Sequence, residues 1–466
     1  MLFSSSTFLF LFLPIVCTIY LIVRQELKNY VLLAASLIFY GWGEPRYLAI
    51  MLLTIMVNYV GAIGIERYRH WAKWILLLTV LADLGVLFYF KYFNFVVENV
   101  NAAFGSDFSF VKVIMPIGIS FYTFQSLSYL VDVYRHEVEA QRDIYKLALY
   151  ISLFPQLVAG PIVKYHDVRK EIEHREVTFD KVAYGVKRFI IGLAKKMLLA
   201  NVFGAIADKI FNQPVESFDA ATAWVGAIAY SLQLYFDFSG YSDMAIGLGA
   251  VFGFKFLENF NYPYISRSIT EFWRRWHISL STWFKEYLYI PLGGNRVSRQ
   301  RTYINLFIVF LATGIWHGAS WNFVIWGLWH GFFIILERMT GWHKKEGGWL
   351  LNTVKHMYTI LIFVIGWVMF RADNMSYAWA YIKNMFGCVG EHRITYDLEY
   401  YVGGMELLAF AVAVLCAVPL FRGILTLSPR YKKSYSLVNI WLLVLFVVSA
   451  ASIAASTYNP FIYFRF

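Results

Sequence analysis

Residues 303–335 have the sequence YINLFIVFLATGIWHGASWNFVIWGLWHGFFII, which contains no Asp, Glu, Lys or Arg. Since a membrane-spanning helix needs about 20 consecutive apolar residues, this run is long enough to cross a bilayer and turn back. Basic residues return directly afterwards, at Arg338, Lys344 and Lys345. We therefore expect two membrane-embedded helices here, with both ends of the run on one side.

The whole chain has the composition of a membrane protein. Hydrophobic residues make up 59% and charged residues only 15%, which leaves too little polar surface for a soluble globule. Other apolar segments of spanning length lie near residues 2–23, 47–65, 74–97, 113–134, 186–207, 222–252, 356–371, 404–421 and 437–456. With a shorter span near 30–42, these segments predict an all-α polytopic membrane protein. We expect a single domain over 1–466 with about eleven to thirteen transmembrane helices.

The basic residues are confined to particular loops, although Lys and Arg outnumber Asp and Glu by 41 to 30. Basic loops near 24–28, 67–73 and 135–146 alternate with loops that are poor in Lys and Arg. This alternation is the positive-inside pattern, and it predicts an N-terminus outside the cytoplasm. The excess of positive charge therefore indicates membrane orientation and no nucleic-acid partner.

The three cysteines and the first apolar segment predict neither a disulfide, nor a metal site, nor a signal peptide. Cys17, Cys388 and Cys416 have no paired or metal-binding spacing,. The first apolar segment lacks a basic n-region and a cleavage site, so we interpret it as a retained span.

Two stretches interrupt the simple pattern of spanning helices. Residues 153–161, LFPQLVAGP, are apolar but contain two prolines and a glycine, which predicts a re-entrant segment surrounded by protein. Residues 271–294 are expected to form one interfacial or re-entrant helix, with Trp273, Trp276 and His277 on its aromatic face. The basic residues on its other face put this helix at the cytoplasmic side.

His317 lies deep inside the long apolar run, in the motif GIWHG. If a helix begins near Arg301, His317 lies about sixteen residues, or roughly 24 Å, into the membrane. An ionisable residue at such depth marks a functional site by default. Imidazole can accept and return a proton near neutral pH, and the chain has no Gly-x-Ser-x-Gly nucleophile motif. His317 is therefore our candidate general base, with Gly314 and Gly318 as hinge or close-packing positions.

Other histidines are weaker candidates. His277 could transfer a proton, but an equally simple interpretation is a hydrogen-bonded supporting role at the donor entrance. His330 lies about 220° around a continuous helix from His317, so the two share a site only if the helix breaks between them; we expect His330 to serve in packing. The spacing of His392 and Asp397 is like that of glycerolipid acyltransferases, and we interpret it as chance.

Several motifs resemble those of the membrane-bound O-acyltransferase family, and most of all its bacterial alginate O-acetylation branch. They are NFNYPY at 259–264, FWRRWHISLS at 272–281, YIPLGG at 289–294, YFDFSGYSD at 235–243, GIWHG at 314–318 and YNPFIYF at 458–464. The resemblance covers nearly the whole chain. The D-alanyl-transfer branch has a similar WHISLS segment without the YIPLGGNR continuation, which favours the acetyl branch.

The resemblance implies a fold in which a ring of helices surrounds a central funnel, with His317 at the position of the family's invariant histidine. It implies an enzyme of a bacterial cytoplasmic membrane that moves an acyl group, in this branch acetyl from acetyl-CoA, from the cytoplasm to the outside. It also implies a partner of the SGNH-hydrolase type that modifies an exopolysaccharide or peptidoglycan. No permanently bound cofactor is implied.

A basic rim at the cytoplasmic side suits the phosphates of such a donor. The candidate donor-binding residues are Arg274, Arg275, Lys285, Arg296, Trp273 and Trp276. The simpler alternative is that the cations are headgroup-level charges that fix topology. Asp237 and Asp243 need partners inside an apolar segment, either a histidine to orient or an arginine to pair with.

Two other functions remain open from the residues alone. A transporter of polysaccharide or lipid carriers would also have many spans, broken helices and buried polar residues. Alternatively, the enzyme transfers D-alanine from a carrier protein to a cell-wall polymer. The sequence decides neither the polymer, nor the donor, nor the partner, nor the oligomeric state.

Overall fold

The computed structural model describes residues 1–388, 394–421, 432–455 and 458–462, and all regular structure in these residues is helical. The chain forms two compact units. The first contains Met1–Phe189 and Ser242–Leu257, and the second contains Ile190–Tyr241 and Glu258–Phe466. The single domain over 1–466 stays a prediction.

The helices range in length from 4 to 32 residues. Helices α1 to α9 are Leu13–Ile22, Lys28–Gly43, Leu48–Arg67, Ala72–Leu87, Phe93–Phe104, Ile119–Tyr134, Ile144–Ser152, Phe154–Leu157 and Tyr165–Glu173. Helices α10 to α21 are Phe179–Ala194, Asn201–Phe211, Ala220–Val251, Ile269–Arg275, Ile278–Phe284, Arg299–His317, Trp321–Thr340, Trp349–Arg371, Met375–Met385, Leu398–Tyr401, Gly404–Cys416 and Lys432–Ala455. Turns of π-helix lie at Phe8–Phe12, Phe88–Tyr92, Lys195–Ala200 and Lys285–Tyr289.

Several helical segments in the described residues can cross a membrane by length and hydropathy. The five that meet both conditions are Pro45–Arg67, Arg69–Phe104, Phe179–Phe211, Trp349–Arg371 and Ser436–Ala455. Two shorter apolar helices span Phe8–Ile22 and Gly404–Cys416. The chain is therefore an all-helical membrane protein, whereas the count of eleven to thirteen spans stays a prediction.

The predicted break at 153–161 is confirmed in the first unit. Helix α7 ends at Ser152, α8 is a single turn, and the backbone that follows is irregular and buried. Side chains supply the hydrogen bonds that a helix would have made. Ser36 Oγ accepts from Phe154 N at 3.1 Å, and Tyr150 Oη donates to Val163 O at 3.0 Å. Buried protein thus surrounds the non-helical backbone.

A histidine clamp joins α6 and α9 in the first unit. His166 Nδ1 lies 2.9 Å from Asp132 Oδ2, and His166 Nε2 lies 3.3 Å from Asp167 Oδ1. The hydrogen bond to Asp132, with a further one to Asp167, raises the pKa of His166 to about 10. Glu137 also lies near, and one ligand atom each from Asp132, Glu137 and His166 fall within 4.8 Å of one another. Since His166 and Asp132 already pair, we interpret the group as an ionic clamp.

Helices α15 and α16 of the second unit form the predicted hairpin. The chain leaves the helix at His317, and α16 begins at Trp321 after the Ser320 cap. The two helices touch backbone to backbone, because a Cβ on Gly314 would lie 2.5 Å from Phe323 O and a Cβ on Gly327 would lie 2.4 Å from the carbonyl oxygen of Phe310. Larger side chains at these two glycines would separate the helices.

A buried carboxylate on α16 holds the N-terminus of α13. Glu337 is 1% exposed. Its carboxylate accepts from Ile269 N at 2.6 Å, from Thr270 N at 2.9 Å and from Thr270 Oγ1 at 2.6 Å. These bonds satisfy amides that a helix start leaves without partners, and a negative charge is favourable there. Glu337 thereby fixes the helix that leads to His277.

The clamp at His166 predicts a pH-dependent stability. Because the pKa is higher in the folded protein than the usual 6.5, the contribution is fully present below about pH 6.5 and is lost as the pH rises through about 10. His166→Gln should therefore lower the thermal midpoint in detergent at pH 6, and the gap to wild type should close by about pH 10. The exposed His174 is the control, since His174→Gln should give no such trend. A gap for His166→Gln that stays constant with pH would refute the charged clamp.

Loss of the Glu337 charge should destabilise the second unit. Glu337→Gln keeps one acceptor oxygen but sets an amide against buried N–H donors, at a cost of about 1–3 kcal/mol. Titration with SDS in mixed micelles measures this change in the free energy of unfolding. The same substitution at the exposed Glu346 should change it little. If Glu337→Gln and Glu346→Gln were equally stable, the bonds from Glu337 to the start of α13 would contribute nothing to stability.

Candidate functional site

His317 stands at the end of α15, where the chain leaves the helix. The side chain is 8% exposed, and the next residue, Gly318, is extended. Aromatic rings surround the imidazole: the ring of Trp326 lies 4.9 Å from it and the ring of Phe370 lies 5.3 Å from it, centroid to centroid. The hairpin turn after His317 is what lets Trp326, on the returning helix, reach it. A nearly buried imidazole is thereby set among apolar rings, where it can act as a base.

A small cavity adjoins His317. Its lining residues are Leu234, Phe238, Trp276, His317, Trp326, Trp367 and Phe370. Only the histidine among them is ionisable, so it is the group in this lining that can move a proton near neutral pH. Apart from Trp276, the apolar neighbours were missed from the sequence, because aromatic residues at helical spacing are typical of ordinary core packing.

His277 lies at a break between two helices, and the single helix predicted over 271–294 is wrong. Helix α13 ends at Arg275, α14 begins at Ile278, and His277 has a φ of 45°. Such a conformation is uncommon for a residue other than glycine and must be held by its surroundings. Asn259 holds it, since its backbone oxygen accepts from Ile278 N at 2.9 Å. A periodic pattern could not reveal this competing partner.

The side chain of Asn259 also orients the His277 ring. Asn259 Oδ1 lies 3.1 Å from His277 Nδ1 and accepts from Ser279 Oγ at 2.9 Å. Because an amide oxygen only accepts, Nδ1 carries the proton and Nε2 is left as the acceptor. His277 Nε2 is buried and makes no hydrogen bond within the described residues. The geometry of His277 suits a supporting role, with Nε2 left as a buried acceptor.

The structure brings His277 and His317 to the same aromatic cluster. The Trp316 ring lies 6.2 Å from the His277 ring and 5.0 Å from the His317 ring. Phe238, which lines the cavity, lies 4.6 Å from His277. His277 is 1% exposed, and its supporting role at the donor entrance stays a prediction. The helix break turns the ring into the interior.

His330 joins this cluster because α15 and α16 are separate helices. Its ring lies 5.2 Å from Trp326, the same tryptophan that contacts His317, and 5.2 Å from Trp273. The side chain is fully buried, and neither ring nitrogen makes a hydrogen bond within the described residues. The condition set from the sequence, a helix break between the two histidines, is met.

The predicted donor-binding residues fall into two groups. Trp273 and Trp276 are buried, at 7% and 3% exposure, and so they do not form an exposed binding face. Trp276 lines the cavity, whereas Trp273 packs in the core against Phe310 and Trp326. The tryptophans point inward because α13 packs on α16 and α17 through this side.

Among the cations, Arg274, Lys285 and Arg296 are exposed. Arg275 is committed to internal contacts, since Nε donates to Glu271 Oε1 at 2.9 Å and an NH1 hydrogen goes to Asn261 O at 3.0 Å. An arginine already bound in this way is a poorer ligand for an incoming phosphate than a free one.

The two buried aspartates of α12 both pair with cations. In the first unit, Arg188 donates to Asp243 Oδ1 at 2.6 Å. In the second, Lys196 Nζ lies 2.8 Å from Asp237 Oδ1, and Ile462 N donates to Asp237 Oδ2 at 3.0 Å. Pairing with an arginine, one of the two options left open by the sequence, is therefore correct for Asp243. The lysine partner of Asp237 was missed because 41 residues separate them in the chain.

Lys196 also donates to Pro460 O, so this ion pair holds part of the motif at 458–464. Tyr463 and Phe464 of that motif lie outside the described residues, as do His392 and Glu391. The His392–Asp397 spacing is thus not described by the structure.

Comparisons with known proteins agree with this architecture. The family model of the membrane-bound O-acyltransferases matches residues 35–370. The probable alginate O-acetylase AlgI of Pseudomonas aeruginosa is 47% identical over 395 residues, 83% of this chain and 75% of the relative. Its counterpart in Pseudomonas putida is 42% identical over 100% of both chains. The peptidoglycan O-acetyltransferase of Helicobacter pylori is 36% identical over 84% of this chain and 80% of its own length.

These matches extend through α12, α13 and the α15–α16 hairpin, which together supply most of the cavity around His317. The chain belongs to the membrane-bound O-acyltransferase family and is an O-acyltransferase.

Proposed function

We propose that the protein transfers an acetyl group from acetyl-CoA at the cytoplasmic face towards an extracytoplasmic polysaccharide, with His317 as the general base. The observation that carries this proposal is the position of His317 on the wall of an apolar cavity. Membership in an enzyme family removes the transporter alternative.

The transfer needs one proton to move twice. His317 takes the proton of the acceptor hydroxyl as its oxygen attacks the thioester carbonyl. The carbon–sulfur bond then breaks, and the CoA thiolate receives the proton from the imidazolium. The products are an acetyl ester and CoA thiol. The aromatic lining supports this step because excluding water prevents hydrolysis of the thioester.

The names of the relatives support acetyl as the group and a polysaccharide as its destination. Two are alginate O-acetylases and one is a peptidoglycan O-acetyltransferase. An alginate-like exopolysaccharide is our first choice, because those relatives have the higher identity. Transfer of D-alanine from a carrier protein is the alternative that the test below separates.

We place the protein in the bacterial cytoplasmic membrane with about eleven to thirteen spans and its N-terminus outside. The alternation of basic loops supports that orientation. A partner of the SGNH-hydrolase type would pass the acetyl group to the polymer outside. For His277, which Asn259 orients, we propose a supporting role beside His317.

For the donor, we propose that exposed cations bind the phosphates of CoA. Arg274, Lys285 and Arg296 are exposed, and guanidinium groups bind phosphate through paired hydrogen bonds. Arg275 is left out of this set, because its guanidinium group already pairs with the carboxylate of Glu271.

Removal of the base should abolish transfer without unfolding the protein. His317→Gln keeps a polar side chain but cannot take a proton, so transfer should fall by about 10²- to 10⁴-fold. The measurement uses membrane vesicles from host cells, which contain the natural partners, and follows radiolabel from acetyl-CoA into polysaccharide.

His330→Gln is the matched control, because it changes another buried histidine, which lies outside the cavity lining. It should cost much less activity than His317→Gln. A correctly folded His317→Gln protein with full activity would disprove the general-base role. Label taken only from a carrier-protein thioester would favour D-alanyl transfer.

If these cations bind the phosphates of CoA, their removal should raise KM for acetyl-CoA but not for a donor without the nucleotide. Arg274→Gln combined with Lys285→Gln should raise KM for acetyl-CoA roughly three- to tenfold, since each lost charged hydrogen bond weakens binding. KM for S-acetyl-pantetheine, which lacks the nucleotide phosphates, should stay unchanged. The control is Lys112→Gln, a change at an exposed lysine of the first unit. Equal effects on both donors would indicate that these residues do not bind the nucleotide.

A further inference from the structure

We infer that Phe370, backed by Trp326 and Trp367, sets the length of the acyl group that the enzyme transfers. The inference rests on the proposed function, because it takes the cavity at His317 as the acyl site. It assigns the three side chains a role in substrate selection that goes beyond acetyl transfer itself.

The size of the cavity is the first observation. Six apolar side chains, five of them aromatic, line the small space next to His317. The reacting thioester carbonyl and the acceptor hydroxyl must both fit beside His317. Little space is then left for carbon atoms beyond the methyl group of acetyl.

The direction of the acyl group follows from what faces His317. The Phe370 ring lies 5.3 Å from the imidazole and nearly perpendicular to it, at 79°. If the carbonyl carbon is within reach of a hydroxyl held by His317, the next carbon of the acyl group meets an aromatic wall. Phe370 and Trp326, whose rings are 4.9 Å apart, form that wall.

The wall cannot move away easily. Trp326 and Trp367 are 0% and 1% exposed, and their rings stack with centroids 5.8 Å apart. Phe323 supports the far side of Phe370, with ring centroids 4.9 Å apart. Phe323 is fixed in turn, because its ring fills the space where a side chain on Gly318 would lie, at 2.2 Å from an ideal Cβ. Closely packed interiors do not open for an extra methylene without cost.

The expected discrimination between acyl groups that differ by one methylene can be given a size. One methylene in a hydrophobic pocket changes the specificity constant by roughly 10- to 200-fold. Wild-type protein should therefore use propionyl-CoA at least about tenfold less efficiently than acetyl-CoA, and butyryl-CoA less efficiently again. Removing the Phe370 ring should make room for the longer groups.

The test compares two phenylalanines that touch each other. Phe370→Ala removes a ring that lines the cavity, whereas Phe323→Ala removes an identical ring next to it that does not. Release of CoA thiol from acetyl-, propionyl- and butyryl-CoA is measured with each protein in vesicles. Phe370→Ala should raise the propionyl-to-acetyl ratio of kcat/KM by at least about tenfold, and Phe323→Ala, which removes only a ring behind the wall, should raise it by a clearly smaller factor.

A milder variant covers the case in which Phe370→Ala does not fold. Phe370→Leu loses less volume and should raise the ratio in the same direction by a smaller factor. A folded Phe370 variant with the wild-type ratio would overturn the inference. So would an equal rise in Phe323→Ala, because it would show general loosening of the core.

Failure of the proposed donor is a separate outcome. If wild-type protein releases thiol from no acyl-CoA but accepts acyl groups from a carrier-protein thioester, acetyl-CoA is the wrong donor. Carrier proteins that carry acetyl, propionyl or butyryl groups as thioesters then replace the acyl-CoA donors. The same variants are compared, and the same change in the propionyl-to-acetyl ratio of kcat/KM is expected.

Discussion

The contact between α15 and α16 is the constraint on which the candidate site depends. Gly314 and Gly327 allow the two backbones to touch, and the chain turns within a few residues of His317. This close approach puts Trp326 against His317. Without a hydrophobic driving force between helices in lipid, packing of small residues is what holds such a pair together. The geometry of the candidate site is therefore set by residues that have no chemistry of their own.

Around this hairpin, polar groups serve mainly to hold backbone in place. Asn259 holds the break at His277, and Glu337 holds the start of α13. In the same unit, the buried Asp237 pairs with Lys196. In an apolar interior, an unsatisfied polar group is costly, so each one has a strong preference for a particular partner. Asn259 and Glu337 thereby hold the two ends of α13 in place.

The result is a site in which shape and chemistry come from different residues. His317 supplies the ionisable group, and aromatic side chains supply the walls. Such walls exclude water and limit size at the same time. The division explains how an acyltransferase can be built with one ionisable residue at the cavity.

The sequence predicted much of this fold by local rules. Apolar runs gave the membrane class, the prolines at 153–161 marked the helix break, and the hairpin at 303–335 followed from length and the returning basic residues. His317 was found by its depth and motif. These features depend on composition and on neighbours within a few residues, which is the information that a single sequence contains.

The sequence by itself thus determined a helical membrane protein with a deep histidine in a hairpin. Only the tertiary structure decided that His277 turns inward, that Trp273 is a core residue, and that Lys196 is the partner of Asp237. Each of these depends on a contact between residues distant in the chain. Helical periodicity in the sequence does not predict such partners. Asn259 can interrupt the helix at His277 only after folding has brought the two residues together.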